Sequence, residues 1–306
     1  MTVHMVKDVF GISRRGLTDG LIGLEIEVEG RRFFEPRKYW TSTYDGSLRD
    51  GREYVFSKPL SLVDTKKALT YFARSATLNN MRVNDSVRAG VHVHVNVQDL
   101  SMLHLMNMIT LFSVFEEMLT AYCGETRDGN LFCLRTKDAE FLNFSLIKCI
   151  RDKDFSSLSD DNIRYAALNL NSLSKFGSLE FRSMRTPHGK GMTVKIFNWI
   201  RVVAKLKESC VNYADPTEIL EKFSGVANLE FLSEVFGDLT EELVKVVPDY
   251  EGRVYYGMRN AQDIAYCDDW SWFKKEAVVN PFKSSARAPR PTTNQPINVM
   301  GGSPLI

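Results

Sequence analysis

The strongest constraint on this chain is a difference, repeated in three places, between the two sides of a strand. Residues 23 to 30 read GLEIEVEG, and side chains along a β-strand alternate faces with a period of two. Leu24, Ile26 and Val28 therefore share one face, Glu25, Glu27 and Glu29 share the other, and Gly30 closes the strand. Residues 90 to 96 read GVHVHVN, which sets Val91, Val93 and Val95 against His92, His94 and Asn96. In SLEFR, residues 178 to 182, Leu179 and Phe181 oppose Glu180 and Arg182. A plain solvated face mixes Lys, Thr, Ser and Glu. Here one face offers only carboxylates, one imidazoles and an amide, and one a carboxylate beside an arginine.

Each piece alone has an ordinary reading. The three glutamates fit the solvated face of an edge strand. The H-x-H pair fits a hydrogen-bonded surface feature or a zinc or iron site. Glu180 and Arg182 fit a structural ion pair. Their joint occurrence shifts the balance. Two carboxylates two residues apart on a strand sit about 6–7 Å from each other. At that distance they repel by roughly 2–3 kcal/mol at an effective dielectric near 20. Glu29, Glu53 and Glu180 in the same concavity add to that cost unless divalent cations neutralise it or the carboxylates splay into water, and oxygen ligands in such number favour hard magnesium or manganese.

The remaining chain supplies a core and covering helices. The 306 residues are 44% hydrophobic and 25% charged, an ordinary globular balance, and the formal charge of +1 disfavours a general nucleic-acid or anionic-membrane surface. The segment from Ser101 to Gly124 has the length of a membrane span, but His104, Asn107, Glu116 and Glu117 make a buried core helix the better reading. Ser101 is placed to cap its start and Gly124 to end it. SLVDTKKALTYFARSATLNN reads as an amphipathic helix with Asp64 as an early cap, and residues 151 to 163 read as a polar loop. Two strands are expected around Leu168 and Leu179, joined across SKFG. From Met192 onward helices are expected in MTVKIFNWIRVVAKLKESCVNYA, PTEILEKF, LTEELVKVV and NAQDIAYCDDWSWFKKEA, with Pro216 at a helix start.

Residues 283 to 306, rich in Pro, Ser, Thr, Asn and Gly, read as a flexible tail. The cysteines, Cys123, Cys133, Cys149, Cys210 and Cys267, include no C-x-x-C pair and read as reduced, mostly buried thiols. The first residues lack a basic head followed by an apolar core, so a cytoplasmic location is expected.

In order along the chain, GLEIEVEG, DGSLRDGREYVFSKPL, GVHVHVN and YAALNLNSLSKFGSLEFRSMRTP resemble the amidoligase family. That family belongs to the carboxylate-amine ligases that share the catalytic fold of glutamine synthetase and glutamate-cysteine ligase. The matching motifs cover about residues 20 to 190. The resemblance implies ATP- and magnesium-dependent phosphorylation of a substrate carboxylate, followed by attack of an amine on the acyl phosphate. It implies metal binding by Glu25, Glu27, Glu53, His92 and Glu180, with manganese an allowed substitute for magnesium. Arg182 would lie on the γ-phosphate, His94 and Asn169 near the nucleotide, and Glu53 and Arg185 beside the chemistry. Asp45 and Asn96 lie within matched motifs, where a turn former or a strand-end amide would look the same. Glu29, against Gly30 at the strand end, is set outside the ligand shell. The chain lacks the extra domain and loops that form the ammonium and glutamate pockets of glutamine synthetase, so neither its substrate nor its ring assembly transfers.

The sequence thus predicts an α+β protein: a curved antiparallel sheet of glutamine-synthetase catalytic type over residues 1–191, with helices on one face. A helical part over 192–282 packs on it. The expected partners are ATP, a carboxylate substrate and an amine co-substrate (a small molecule, a peptide or a protein tail), with no membrane. Two other classes stay open. One is a cupin-like hydrolase or oxygenase with a single transition metal on His92 and His94. The other is a binding or structural protein that keeps the sheet without catalysis.

Overall fold

In a computed structural model, which describes residues 4–12, 18–124, 133–136, 138–159, 166–225 and 228–275, the three two-faced strands lie in one sheet. Its strands are β1 (Ile22–Arg31), β2 (Trp40–Thr43), β3 (Gly51–Phe56), β4 (Arg82–Val83), β5 (Gly90–Asn96), β6 (Leu168–Asn169) and β7 (Ser178–Arg185). The order is β2-β3-β1-β5-β7-β6, with β4 added to the end of β1, and every ladder is antiparallel. The apolar residues of β1, β5 and β7 are shut away from solvent, as the alternation requires.

The helices are α1 (Val6–Val9), α2 (Leu62–Leu78), α3 (Met102–Cys123), α4 (Glu140–Asp152), α5 (Ser172–Phe176) and α6 (Met192–Ser209). After them come α7 (Pro216–Gly225), α8 (Asn228–Phe236), α9 (Thr240–Val246), α10 (Tyr250–Ala265) and α11 (Ser271–Lys275). Helices α2, α3 and α6 cover the apolar side of the sheet. Phe72 of α2 packs edge-on against Tyr54 of β3 at 5.1 Å, and Phe112 of α3 against Phe181 of β7 at 5.3 Å. One apolar core runs from the sheet into the helices after Met192, so the two parts share an interior.

Helix α3 is the buried core helix the sequence indicates: 89% of its most apolar window lies inside the protein. Ser101 Oγ accepts from the His104 N–H at 3.1 Å, and Gly124 follows its last turn. α10 presses against it at Gly257, where a Cβ would stand 2.0 Å from the Val114 carbonyl oxygen. The five cysteines form no disulfide among the described residues; four are buried and Cys267 is half-buried.

Several expectations are corrected. Ser61, not Asp64, caps α2: its Oγ accepts from the Asp64 N–H at 3.1 Å, and Asp64 pairs with Lys67 at 2.8 Å. Residues 151–159 are not loop throughout, because α4 runs to Asp152 and a 3₁₀ turn spans Ser156–Ser159; residues 160–163 lie outside the described residues. The strands β6 and β7 are joined across SKFG as expected, the connection forming the short helix α5 closed by Gly177 at φ +67°. The helix expected over 260–277 is broken. Trp270 adopts φ +59° and donates its Nε1–H to the Ala265 carbonyl at 2.8 Å, and Asp269 accepts from the Ser271 N–H at 2.9 Å to start α11. α4, α8 and β2 were not anticipated. The tail at 283–306 lies outside the described residues.

Two stability predictions follow from α3. Gly257→Ala forces α10 off the Val114 carbonyl and should lower the unfolding free energy by about 1–3 kcal/mol in urea titrations; an unchanged midpoint would refute the close packing. Glu116, fully enclosed on α3, has its carboxyl pushed up to about 7 by burial, against the opposing bonds from Thr136, with Glu117 adding to the rise and Arg135 opposing it. A carboxyl raised in the folded state holds its proton there, so stability is full below 4.5 and declines as pH rises towards about 7. The advantage of Glu116→Gln over wild type should therefore grow by about 3 kcal/mol across that window, measured by denaturation at several pH values.

Candidate functional site

The strand registers bring the polar residues face to face. Glu25 of β1 lies opposite His92 of β5, Glu27 opposite Glu53 of β3, and His94 opposite Glu180 of β7. They line a trough on the sheet face away from α3. The trough is well enclosed, since the side chains of His92 and Glu180 are each 7% exposed and that of Glu27 is 9%.

One half of the trough pairs acids with bases. The Glu25 carboxylate stands 3.1 Å from His92 Nδ1 and 3.3 Å from His94 Nε2. His94 turns its Nδ1 to Ser178 Oγ at 3.2 Å and lies edge-on to the Phe176 ring at 5.8 Å. Glu180 meets Arg182 Nη1 at 2.5 Å and accepts from Asn169 Nδ2 at 2.6 Å. Burial opposes the ionised form of Glu25, but the bonds from His92 and His94 outweigh it and hold the carboxyl below its usual range. Glu180 is likewise held down, against burial, by His94, Arg182 and His92. Burial pulls His94 towards the neutral form, and Glu25 and Glu180 overcome that pull and raise it.

In the other half Glu53 has no such compensation. Glu53 accepts from Thr43 Oγ1 at 3.1 Å, and its carboxyl is pushed up first by burial and then by Glu25, with Glu27 and Asp45 adding to the rise. Glu27 accepts from the Gly90 N–H at 2.6 Å. Ligand atoms of Glu25, His94 and Glu180 lie within 4.8 Å of one another, and so do those of Glu27, Asp45 and Glu53. Each trio could hold one cation, and oxygen-rich sets with at most one imidazole suit magnesium or manganese.

The sequence-named residues sort out as follows. Glu25, Glu27, Glu53 and Glu180 meet in the trough. His94, named as the nucleotide-side residue, is the imidazole inside a ligand trio, whereas His92 stands between the trios, with Nε2 3.8 Å from Glu27. Asp45 is both turn former and trio member: its Oδ1 accepts from the Ser47 N–H at 2.7 Å. Arg182 reaches the trough with its Nε buried and without a hydrogen-bond partner.

Asn169 does not point an open amide at a ligand. Its Nδ2 donates to Glu180, and its Oδ1 accepts from the Asn171 N–H at 3.0 Å, so it orients Glu180. Asn96 is structural, donating to the carbonyls of Thr18 at 2.8 Å and Gly20 at 3.0 Å. Glu29 sits outside the trios and accepts from the Arg49 N–H at 2.7 Å. Arg185 stands at the Gly90 end of the sheet, bonded to Asp85 and to the Ser86 carbonyl at 2.7 Å, at the rim of the trough. Thr43, Ser178 and the Gly90 N–H went unnoticed because they act on other side chains and carry no ligand signature of their own; the register is what reveals them.

Beyond His94 the trough opens into a pocket of about 340 Å³ walled by Leu21, Phe56, Pro59, Phe176 and Lys175. No family model matches the chain, and no curated protein matches it in sequence. The likeness to amidoligases therefore rests on the motifs.

The uncompensated half generates a prediction. Glu53→Gln removes one of three clustered acids and should raise the melting temperature of the metal-free protein. Magnesium or manganese should stabilise wild type, by about 2.7 kcal/mol at 100 times the dissociation constant, and so raise its melting temperature, and raise the variant's much less. Calorimetric melts with and without the ions check it; equal increments in both proteins would remove Glu53 from the site.

Proposed function

We propose that this protein is an ATP- and magnesium-dependent carboxylate-amine ligase built on a sheet of the glutamine-synthetase catalytic type. The observation that carries the reading is the pair of carboxylate-rich trios on one sheet face with Arg182 beside them, its buried Nε lacking a partner. A triphosphate and a carboxylate repel each other, so a site that joins them must collect positive charge. An acid-lined trough can do so only through cations.

The residues present fit the groups required. Magnesium, when bound, supplies positive charge to the phosphate oxygens. Glu25, His94 and Glu180 would hold one ion, and Glu27, Asp45 and Glu53 another. His92, against Glu25, keeps that carboxylate aimed into the trough. Arg182 offers its unpartnered Nε–H to a phosphoryl oxygen, while its Nη1 stays on Glu180. The pocket at Phe56 and Phe176 has the size and apolar walls for the base of the nucleotide, with His94 at its inner end. In the overall reaction an oxygen of the substrate carboxylate takes the γ-phosphoryl group and ADP leaves. The amine then displaces phosphate and gives up a proton as the amide forms. A cytoplasmic location, where ATP is available, belongs to the same reading.

The cupin-like alternative needs both imidazoles on one ion. The trio that contains an imidazole contains His94 alone, which supports the ligase reading over it. The deciding experiment measures ADP formation from magnesium ATP against pooled carboxylic acids and amines, with Glu27→Gln and Arg182→Ala in parallel. Wild type should release ADP only when both co-substrates are present, and each variant should fold yet lose at least about a hundredfold in rate, the order expected for removing a preorganised charge contact. Turnover at the wild-type rate in both variants would overturn the assignment. Tight zinc or iron in the purified protein with no ADP release would favour the single-metal reading, and no response to ATP or magnesium at all the non-catalytic one.

A further inference from the structure

Where the Gly90 end of the sheet meets the helices lies a second cavity, of about 610 Å³, whose charged groups the ligase reading leaves without a role. Its polar walls are Asp85, Tyr122, Arg185, His188, Lys195 and Glu242. Glu242 accepts from Tyr122 Oη at 2.6 Å and from Asn198 Nδ2 at 2.9 Å on each oxygen. Those donors are neutral, so among the described residues its charge meets no cation within salt-bridge distance. Lys195 is exposed and, among the described residues, has no acid partner either. Arg185 and His188 share Asp85, the latter at 3.4 Å. One cavity thus holds a carboxylate and an ammonium that are each uncompensated and do not pair with each other. A ligand bearing both charges would neutralise both.

We propose that this cavity binds a zwitterionic amino acid or short peptide, its ammonium at Glu242 and its carboxylate at Lys195 and His188. The volume lies within the range of small-molecule pockets and leaves room for more than one residue. The cavity wall is tied to the strands that carry the trough. Thr186, next to Arg185, donates its hydroxyl to the carbonyls of Glu27 at 2.7 Å and Gly90 at 2.9 Å, and the Gly90 N–H donates to the Glu27 carboxylate. Such a ligand carries a carboxylate and an amine, the two groups that the proposed ligase joins. That role as co-substrate rests on the ligase reading, whereas the binding itself does not.

The test is titration calorimetry without nucleotide or magnesium. The probes are each standard amino acid, glycylglycine and alanyl-alanine, free and as N-acetyl and carboxamide derivatives. A free zwitterion should bind, and blocking either end should weaken it about tenfold or more, as should Lys195→Ala and Glu242→Gln. Lys195 is exposed and without contacts that hold the fold, so its variant keeps the test valid if Glu242→Gln is unstable. Absence of binding, equal binding of blocked probes, or wild-type affinity in Lys195→Ala would overturn the proposal. ADP release in a protein that binds no zwitterion would sink this inference and leave the ligase reading intact. Zwitterion binding in a protein that releases no ADP would do the reverse.

Discussion

The antiparallel register between β1 and its two neighbours is the constraint on which the rest of the site depends. Because the valines of β5 and the aliphatic residues of β1 must all face the covering helices, a slip of one residue would turn an entire strand over. Core packing therefore fixes which residues face the trough. The register then sets Glu27 against Glu53 and Glu25 against His92, while His94 falls against Glu180. The apolar side supplies the free energy and the polar side receives its geometry from it.

That geometry divides the trough electrostatically. Around Glu25 and Glu180 the acids are matched by two imidazoles and a guanidinium, so this half holds its ionised form even when buried. Around Glu53 the neighbours are acids, and the hydrogen bond from Thr43 stands in opposition. The two halves thus differ in what an added cation would gain. The matched half must give up existing contacts, since a ligand to Glu25 competes with both histidines. At Glu53, whose carboxyl its acidic neighbours push up, a cation relieves repulsion. A first divalent ion should therefore prefer Glu27, Asp45 and Glu53, the trio without a base.

Much of this was legible in the sequence, because strand alternation reports directly on which face a residue occupies. Glu25, Glu27, His94 and Glu180 could be assigned to one surface from spacing alone. The pairing of His94 rather than His92 with Glu180 could not, since spacing within a strand says nothing about the offset between strands. The bonding of Asn169 and Asn96 was not legible for a related reason: an amide can donate and accept, and only its neighbours show that both ends are already engaged. Helix α4 was legible too, since Leu142, Leu146, Cys149 and Ile150 repeat at helical spacing, although it was not among the elements expected. The broken helix before α11 turned on a local contact, the Asp269 cap, that propensity does not reveal.

One irregularity was written in the sequence without being recognised. In SLEFRSMR the buried apolar positions are Leu179, Phe181 and Met184, so the alternation changes parity after Phe181. The ladder accounts for it: Val93 pairs with Phe181 but Val91 with Met184, three steps on β7 for two on β5. The extra residue is a bulge, and it turns Arg185 onto the same sheet face as Glu180 and Arg182. Without it, a strict alternation would bury the guanidinium under α3 and expose Met184. The bulge is therefore what allows one short strand to deliver a metal-side carboxylate, an arginine over the trough and a second arginine at its rim, where the trough meets the mixed-charge cavity.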